Sequence, residues 1–460
     1  MTPLVEELIP APDVIEAFER TAGLPYRMLL DSASDPQRLG RYSFVVADPW
    51  KVIQSGPDPL LAARASLAHL RHEPIPDLPP FQGGAVGYIG YDYGARLERL
   101  PSARYDDLGI PDVVLGLYDW VIAWDHLAGR AWVISIGARA AERLREVRAM
   151  LRGHGTADDV PAVPAVEPWP RPPRAPSFAL SPDVAGALDL RSSFSRDAYL
   201  RAVERVREYI FAGDIFQANL SQRLEAPLDE PPWALYKRLR AINPAPFAAY
   251  VETGHATIMS ASPERFLRVA TDRSVETRPI KGTSPRGIGP EHDAALGQAL
   301  IESEKDRAEN LMIVDLLRND LSRVCAPGSV RVPELFLLEN YPTVHHLVST
   351  VVGVLPAGAD AVDLLQASFP GGSITGAPKV RAMEIIAELE PSHRGVYCGS
   401  IGYLSVTGAL DTSIVIRTYL ALERRVYFSV GGGIVADSDP TAEYEETLTK
   451  ARALIAALRP

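Results

Sequence analysis

Cysteine is almost missing from this 460-residue chain. Cys325 and Cys398 are the only two, and they lie far apart. They have no metal-ligand spacing and cannot build a disulfide framework, so a reducing cytoplasm is the expected location. Basic residues are the minority, with 47 Lys and Arg against 58 Asp and Glu and a formal net charge of -11. A nucleic-acid binder would carry a basic stripe or domain, and that class is set aside. No apolar run reaches bilayer-spanning length, and the opening Met1 to Glu7 lacks the basic region and apolar stretch of a signal peptide. Neither nucleic acid nor membrane is an expected partner. What remains is 47% hydrophobic content, enough to bury a large core, and a length that predicts two or three domains.

The composition changes once. Between His154 and Pro182 eight prolines interrupt the chain with few periodic apolar positions, which reads as an extended linker or surface excursion. The expected divisions are an N-terminal region at 1-155, a proline-rich linker at 156-190 and a catalytic region at 191-460. Ala138 to Leu151 has helical spacing. Ser195 reads as the N-cap of a helix carrying Tyr199, Ala202, Val203, Val206 and Ile210 on one face, stopped by Gly213. Then the period switches to two, and Asp214 to Ser221 reads as a strand with Gln217, Asn219 and Ser221 on a polar face. Ile301 to Val324 reads as one helix, and Asp439-Pro440-Thr441 opens another through Leu454 with proline in the first turn.

Within Arg278-Pro279-Ile280-Lys281-Gly282-Thr283, proline fixes the backbone before Lys281 and glycine allows an unusual φ after it. Such a lysine is presented as a nucleophile, although a lysine in a turn is more often a solvated charge. Gly371 and Gly376 have the spacing of a phosphate loop, but Ala377 stands where its lysine is required. Gly83 to Gly90 likewise departs from the dinucleotide fingerprint. The loops Pro370 to Lys379 and Val430 to Ile434 can still offer amides to a small anion, or can be tight structural turns. Glu309 on one helix and Glu443 with Glu446 on another supply the hard oxygen ligands that Mg2+ requires, or form solvated acidic faces. His346, beside His345, is a hydrogen-bonding group or a satisfied core residue.

Taken together, Ala212 to Gln217, Ser262-Pro263-Glu264-Arg265-Phe266, the Lys281 turn, Asp306 to Asn310, Asp315 to Asp320, the His346 segment, Thr375 to Lys379, Ile416-Arg417-Thr418, Gly431-Gly432-Gly433 and Glu443 to Thr447 resemble the chorismate-binding enzymes. That group includes anthranilate synthase component I, aminodeoxychorismate synthase component I, and the isochorismate and salicylate synthases. The resemblance runs from about Ser195 to Leu454. It implies an α+β fold with two large, mainly antiparallel sheets packed as a sandwich with flanking helices. Further upstream, Leu29 to Ser32 and Gly40 to Ser43 resemble the segment that forms a tryptophan pocket in this family. The resemblance implies L-tryptophan as the ligand of that pocket, in which Asp31 replaces a common glutamate and Ser32 follows it.

The resemblance also implies roles. Isochorismate and salicylate synthases have a water-activating lysine where this chain has Gln217, and glutamine cannot serve as a general base, so ammonia is implied as nucleophile. Anthranilate synthases typically have alanine at Lys281, whereas aminodeoxychorismate synthases have lysine. The implied chemistry is a covalent adduct of Lys281 with C2 of chorismate, with Glu264 as general acid, His346 orienting the ring and Arg278 favouring the neutral amine. Mg2+ held by Glu309 and Glu446 beside Glu443 would grip the ring carboxylate. Arg417 and the amides of Gly431, Gly432 and Gly433 would bind the enolpyruvyl carboxylate, and Thr375 and Tyr403 would line the same pocket. A Gly-x-Cys-x-Gly amidotransferase motif is missing, so a glutamine amidotransferase subunit is the expected ammonia source. The chain also leaves no room for an appended lyase, which makes 4-amino-4-deoxychorismate the expected product, on the way to 4-aminobenzoate and folate. The competing readings are an anthranilate synthase and a non-catalytic tryptophan-binding regulator.

Overall fold

The computed structural model describes residues 3-35, 37-54, 56-153, 172-341 and 344-459. Two antiparallel sheets dominate it, of 13 and 10 strands. In the larger, the strands Leu4–Leu8, Arg130–Ser135, Trp120–Asp125, Tyr42–Val46 and Met28–Asp31 lead into Phe247–Glu252, Ala256–Ser262, Thr418–Leu422, Arg425–Ile434 and Gln217–Pro227. The smaller runs from Ile280–Pro285 through Val344–Val354, Ser274–Thr277, Arg265–Val269, Leu410–Ile414 and Ser400–Ser405 to Gly84–Ile89, Val113–Tyr118 and Lys51–Ile53. Phe44, Ala249 and Ile258 of the first sheet share one buried cluster with Val86, Val114 and Ile401 of the second, so the sheets pack face to face. The outer faces are covered by helices: Leu235, Tyr236, Leu239 and Leu454 lie over the large sheet, and Ile313, Val314 and Leu317 over the small one.

The expected division at 155 and 191 does not separate two cores. Met28–Asp31 hydrogen-bonds to Phe247–Glu252, and Gly84–Ile89 to Ser400–Ser405, so N-terminal and C-terminal segments alternate inside both sheets. Of the expected linker, residues 156-171 lie outside the described residues. The rest is not extended throughout, since it holds the short helix Pro182–Ala185 and the strand Phe178–Ala179 paired to Arg191–Ser192.

Local chemistry accounts for the helix starts. Ser195 caps Arg196–Phe211 through the Ala198 amide at 3.3 Å, and Asp439 caps Pro440–Ala457 through the Ala442 amide at 2.9 Å. The helix expected over Ile301 to Val324 is Glu304–Ser322, and the chain before it is a separate helix, Pro290–Glu302. Ser303 separates them, because its hydroxyl accepts from the Asp306 amide and starts a new helix. Gly83 to Gly90 lies mostly within the strand Gly84–Ile89, where a side chain on Gly87 would approach the Val114 carbonyl to 1.9 Å. Its glycines serve strand contact.

Candidate functional site

Lys281 is presented by a bulge. Ile280 pairs with Val348 and Thr283 with His346, so Lys281 and Gly282 together oppose Leu347 alone. Gly282 has φ +87, the left-handed conformation that glycine permits, and the Asp306 carboxylate would lie 3.0 Å from a side chain there. Burial holds the Lys281 amine below the usual lysine range; Glu309 opposes the shift, and the Lys450 ammonium adds to it. The expected neighbour Arg278 is not that cation. Its guanidinium is taken by Glu339, by Glu334 at 3.1 Å and by Thr350 at 2.8 Å.

The second sheet edge faces this bulge. Gln217 opens its strand against the Gly376–Ala377 strand on one side and Arg425–Ile434 on the other. The triple glycine, expected as a loop, belongs to that last strand, opposite Ser221, Leu220 and Asn219. Its ladder to Thr418–Leu422 runs only as far as Tyr427, which leaves one edge of the glycines outside that pairing. A methyl on Gly433 would sit 1.8 Å from Gln217 Nε2 and 3.5 Å from Lys281 Nζ. Gln217 and Lys281 therefore meet over bare backbone. Gln217 is 1% exposed and its Oε1 is a buried acceptor with no hydrogen-bond partner among the described residues.

Glu264 lies between the strands Ala256–Ser262 and Arg265–Val269. It is 4% exposed, and burial pushes its carboxyl up to about 7 against the Ser373 hydroxyl, the Lys281 charge and the Ile280 amide. His346 accompanies Lys281 on the paired strand. Its Nδ1 is 2.8 Å from Thr283 Oγ1, and burial, with Arg417 nearby, lowers it to about 4, so the ring is neutral at pH 7. Arg417, in a left-handed conformation at φ 54, is not within ion-pair distance of a carboxylate among the described residues; burial lowers its pKa and the Tyr397 phenol is its opposing neighbour. A guanidinium without an ion-pair partner has donors to offer an anion.

Three carboxylates close the site from the helices. Burial raises Glu443, which accepts from Ser438 Oγ at 2.6 Å, and like charge from Glu446 adds to the effect. Burial also raises Glu309, with Asp306 and Glu443 adding. Glu446 is held down by Lys450 against burial, and Lys305 acts on all three. Hard oxygens under mutual repulsion are the chemical type of ligand that Mg2+ takes. Among the described residues, however, no three His, Cys, Asp or Glu side chains converge closely enough to enclose a metal ion. Lys450 Nζ pairs with one of them, 2.7 Å from Glu446 Oε1, and donates to the Gly431 carbonyl at 2.9 Å.

Two expected lining residues are placed elsewhere. Thr375 donates to the carbonyls of Gly371 and Gly372 at 3.1 and 3.3 Å, which fastens its own turn. Tyr403 points into a different cavity of about 260 Å³, where Asp31, Ser32, Tyr42, Phe44 and Arg268 also line the wall. Asp31 is engaged by Arg240 Nε at 2.5 Å and Tyr236 Oη at 3.1 Å. The tyrosine beside Arg417 is Tyr397. Along with Lys450, Lys305 and Ser373 it escaped the sequence reading; Lys450 alone left a signal, the four-residue step from Glu446 that puts opposite charges on one helix face.

Residues 26–456 match the chorismate-binding enzymes. The chain belongs to that family. It is 43% identical, over 99% of both chains, to aminodeoxychorismate synthase component 1 of Klebsiella aerogenes. It is 45% identical to anthranilate synthase component 1 of Thermus thermophilus, over 83% of this chain and 79% of that one. The crystal structure of anthranilate synthase component I from Streptococcus pneumoniae TIGR4 superposes with a TM-score of 0.76 at 34% identity, covering 92% of this chain and 93% of that one. In this chorismate-binding chain no helix among the described residues is long and apolar enough to cross a membrane.

Proposed function

We propose that this chain is the chorismate-aminating component of an aminodeoxychorismate synthase, producing 4-amino-4-deoxychorismate. The observation that carries the reading is the meeting of Lys281, an amine whose pKa burial lowers, with Gln217 across Gly433. A lysine base for water is missing at position 217, and a nucleophilic lysine is present at 281.

The neutral Lys281 amine bonds to C2 of chorismate, the ring double bonds shift, and the C4 oxygen leaves as water with the proton of Glu264. The adduct nitrogen gives its extra proton back to Glu264. Ammonia then bonds at C4, the double bonds return, and the C2–N bond breaks, the proton shed by the incoming nitrogen going to the departing lysine nitrogen to restore its amine. One hard displacement becomes two easier ones. The unpartnered Gln217 Oε1 supplies an acceptor for an ammonia N–H, and Arg417 takes the enolpyruvyl carboxylate. The neutral His346 ring orients the substrate. Mg2+, when bound by Glu309 and Glu446 with Glu443, would neutralise the ring carboxylate. Ammonia comes from a glutamine amidotransferase subunit, and the Tyr403 cavity is the place for L-tryptophan, with calorimetric titration as its check.

The decisive test incubates the chain with chorismate, Mg2+ and ammonium, then adds a 4-aminodeoxychorismate lyase. Formation of 4-aminobenzoate is the expected result. Anthranilate as the sole product would make it an anthranilate synthase, the second reading, which the 45% identity to the Thermus thermophilus protein favours. In Lys281→Ala, amination at C4 should be lost; full retention would remove the covalent step.

A further inference from the structure

The strand Val344–Val354 meets a bulge on each of its sides. Lys281 and Gly282 oppose Leu347 alone. On the other side, Glu334 pairs with Thr350 and Leu337 with Val348, so Leu335 and Phe336 of the strand Arg331–Asn340 oppose Ser349 alone. Phe336 has φ 58, a left-handed conformation that a bulky residue rarely adopts. A one-residue slip in strand pairing turns side chains to the opposite face. For Lys281 such a slip would carry the amine away from Gln217, so the bulge must be held where it is.

One side chain reaches the residues opposite both bulges. Asn310 is wholly buried on the helix Glu304–Ser322, next to Glu309. Its Nδ2 donates to the Leu347 carbonyl at 3.3 Å, and its Oδ1 accepts from Ser349 Oγ at 2.5 Å. Ser349 extends the connection. Its hydroxyl accepts from the Phe336 amide at 3.1 Å, and its own amide donates to the carbonyl of Pro279, two residues before Lys281, at 3.3 Å. One turn earlier on the same helix, Asp306 Oδ1 lies 3.0 Å from where a side chain on Gly282 would begin. The helix therefore abuts the bulge through Asp306 and grips the strand opposite it through Asn310. A side-chain amide suits that grip because it donates to a carbonyl and accepts from a hydroxyl at once.

We propose that Asn310 is a positioning residue for Lys281, its side-chain amide locking the strand opposite the bulge so that the amine stays directed at Gln217. This rests on Lys281 being the nucleophile of the reaction. Both ends of the Asn310 amide are spent on the strand, so the residue acts through Lys281 and not on the substrate. Misplacing a reacting atom by about 1 Å can cost on the order of 100-fold in rate, which is the scale of effect such a lock controls.

In Asn310→Ala, kcat should fall roughly 10- to 100-fold with KM for chorismate little changed, the signature of a misdirected group and not of lost binding. Amide hydrogen exchange read by mass spectrometry follows the same lock without turnover. Residues 278-285 and 344-350 should exchange faster, while Trp120–Asp125 and Arg425–Ile434 of the other sheet exchange as in the parent. This second readout decides the matter even if the chain aminates nothing, and the product assay tests the reaction separately. Should the alanine variant not fold, Ser349→Ala removes one of the two bonds and should give a smaller change in the same two segments, and its absence would count against the lock. A folded Asn310→Ala protein that keeps kcat, or whose two segments exchange as in the parent, overturns the proposal. Faster exchange throughout both sheets overturns it as well, since Asn310 would then be a stabilising residue only.

Discussion

Lys281 and Glu264 are displaced in opposite directions by one cause. Burial disfavours whichever form is charged, so it lowers an amine and raises a carboxyl, each towards the form the proposed first step consumes. The rate should then fall as pH rises through about 7, where Glu264 ionises, and a second limb should mark the protonation of Lys281. Residual activity in Glu264→Gln should keep the Lys281 limb and lose that of Glu264, which a pH-rate profile will read. The same shift bears on stability. A carboxyl raised from 4.5 to about 7 binds its proton more tightly when folded, so it stabilises fully below pH 4.5 and loses that contribution as pH rises through 7. Replacing it by neutral Gln should therefore stabilise the protein by about 3 kcal/mol at pH 8 and change little at pH 4, measured by urea unfolding at both. Arg417→Met should raise KM for chorismate roughly 10- to 100-fold, the loss of one charged hydrogen bond, with the fold intact by circular dichroism.

At the scale of elements, two helix starts were legible because a cap announces itself within four residues: Ser195 and Asp439 were read correctly from type and spacing. Ser303 was not, since nothing in Ile301 to Val324 distinguishes a serine inside a helix from one that restarts it. The triple glycine misled in the same way. Glycine in a strand and glycine in a loop look alike until the partner is known, and the partner here, Gln217–Pro227, lies some 200 residues away. Tyr397 and Tyr403 show the limit at the site: both sit in tyrosine-glycine stretches, and only the sheet decides which faces Arg417. Lys379 carries an element-level prediction. It pairs with Asp320 at 2.6 Å, with side chains 12% and 4% exposed, while binding two carbonyls of the turn before it. Lys379→Met leaves a buried carboxylate unpaired and should cost about 3-5 kcal/mol in chemical denaturation.

For the whole molecule, the proline-rich stretch looked like a domain boundary because composition changes there, yet strand order is set by long-range pairing that composition does not encode. A fragment beginning at residue 191 would lack the partner of Phe247–Glu252 on one sheet and of Ser400–Ser405 on the other. Expressed alone it should remain unfolded or aggregate, and co-expression with residues 1-153 should restore a soluble complex, read by gel filtration. The placement of Gln217 and Lys281 on different sheets has a mechanical meaning too. Their separation across Gly433 is a gauge of how far the layers stand apart, so any event that slides one layer over the other, including the docking of a partner subunit on either outer face, would change the gap into which the nitrogen must fit. Reporter labels on the two sheets would read that displacement as a distance.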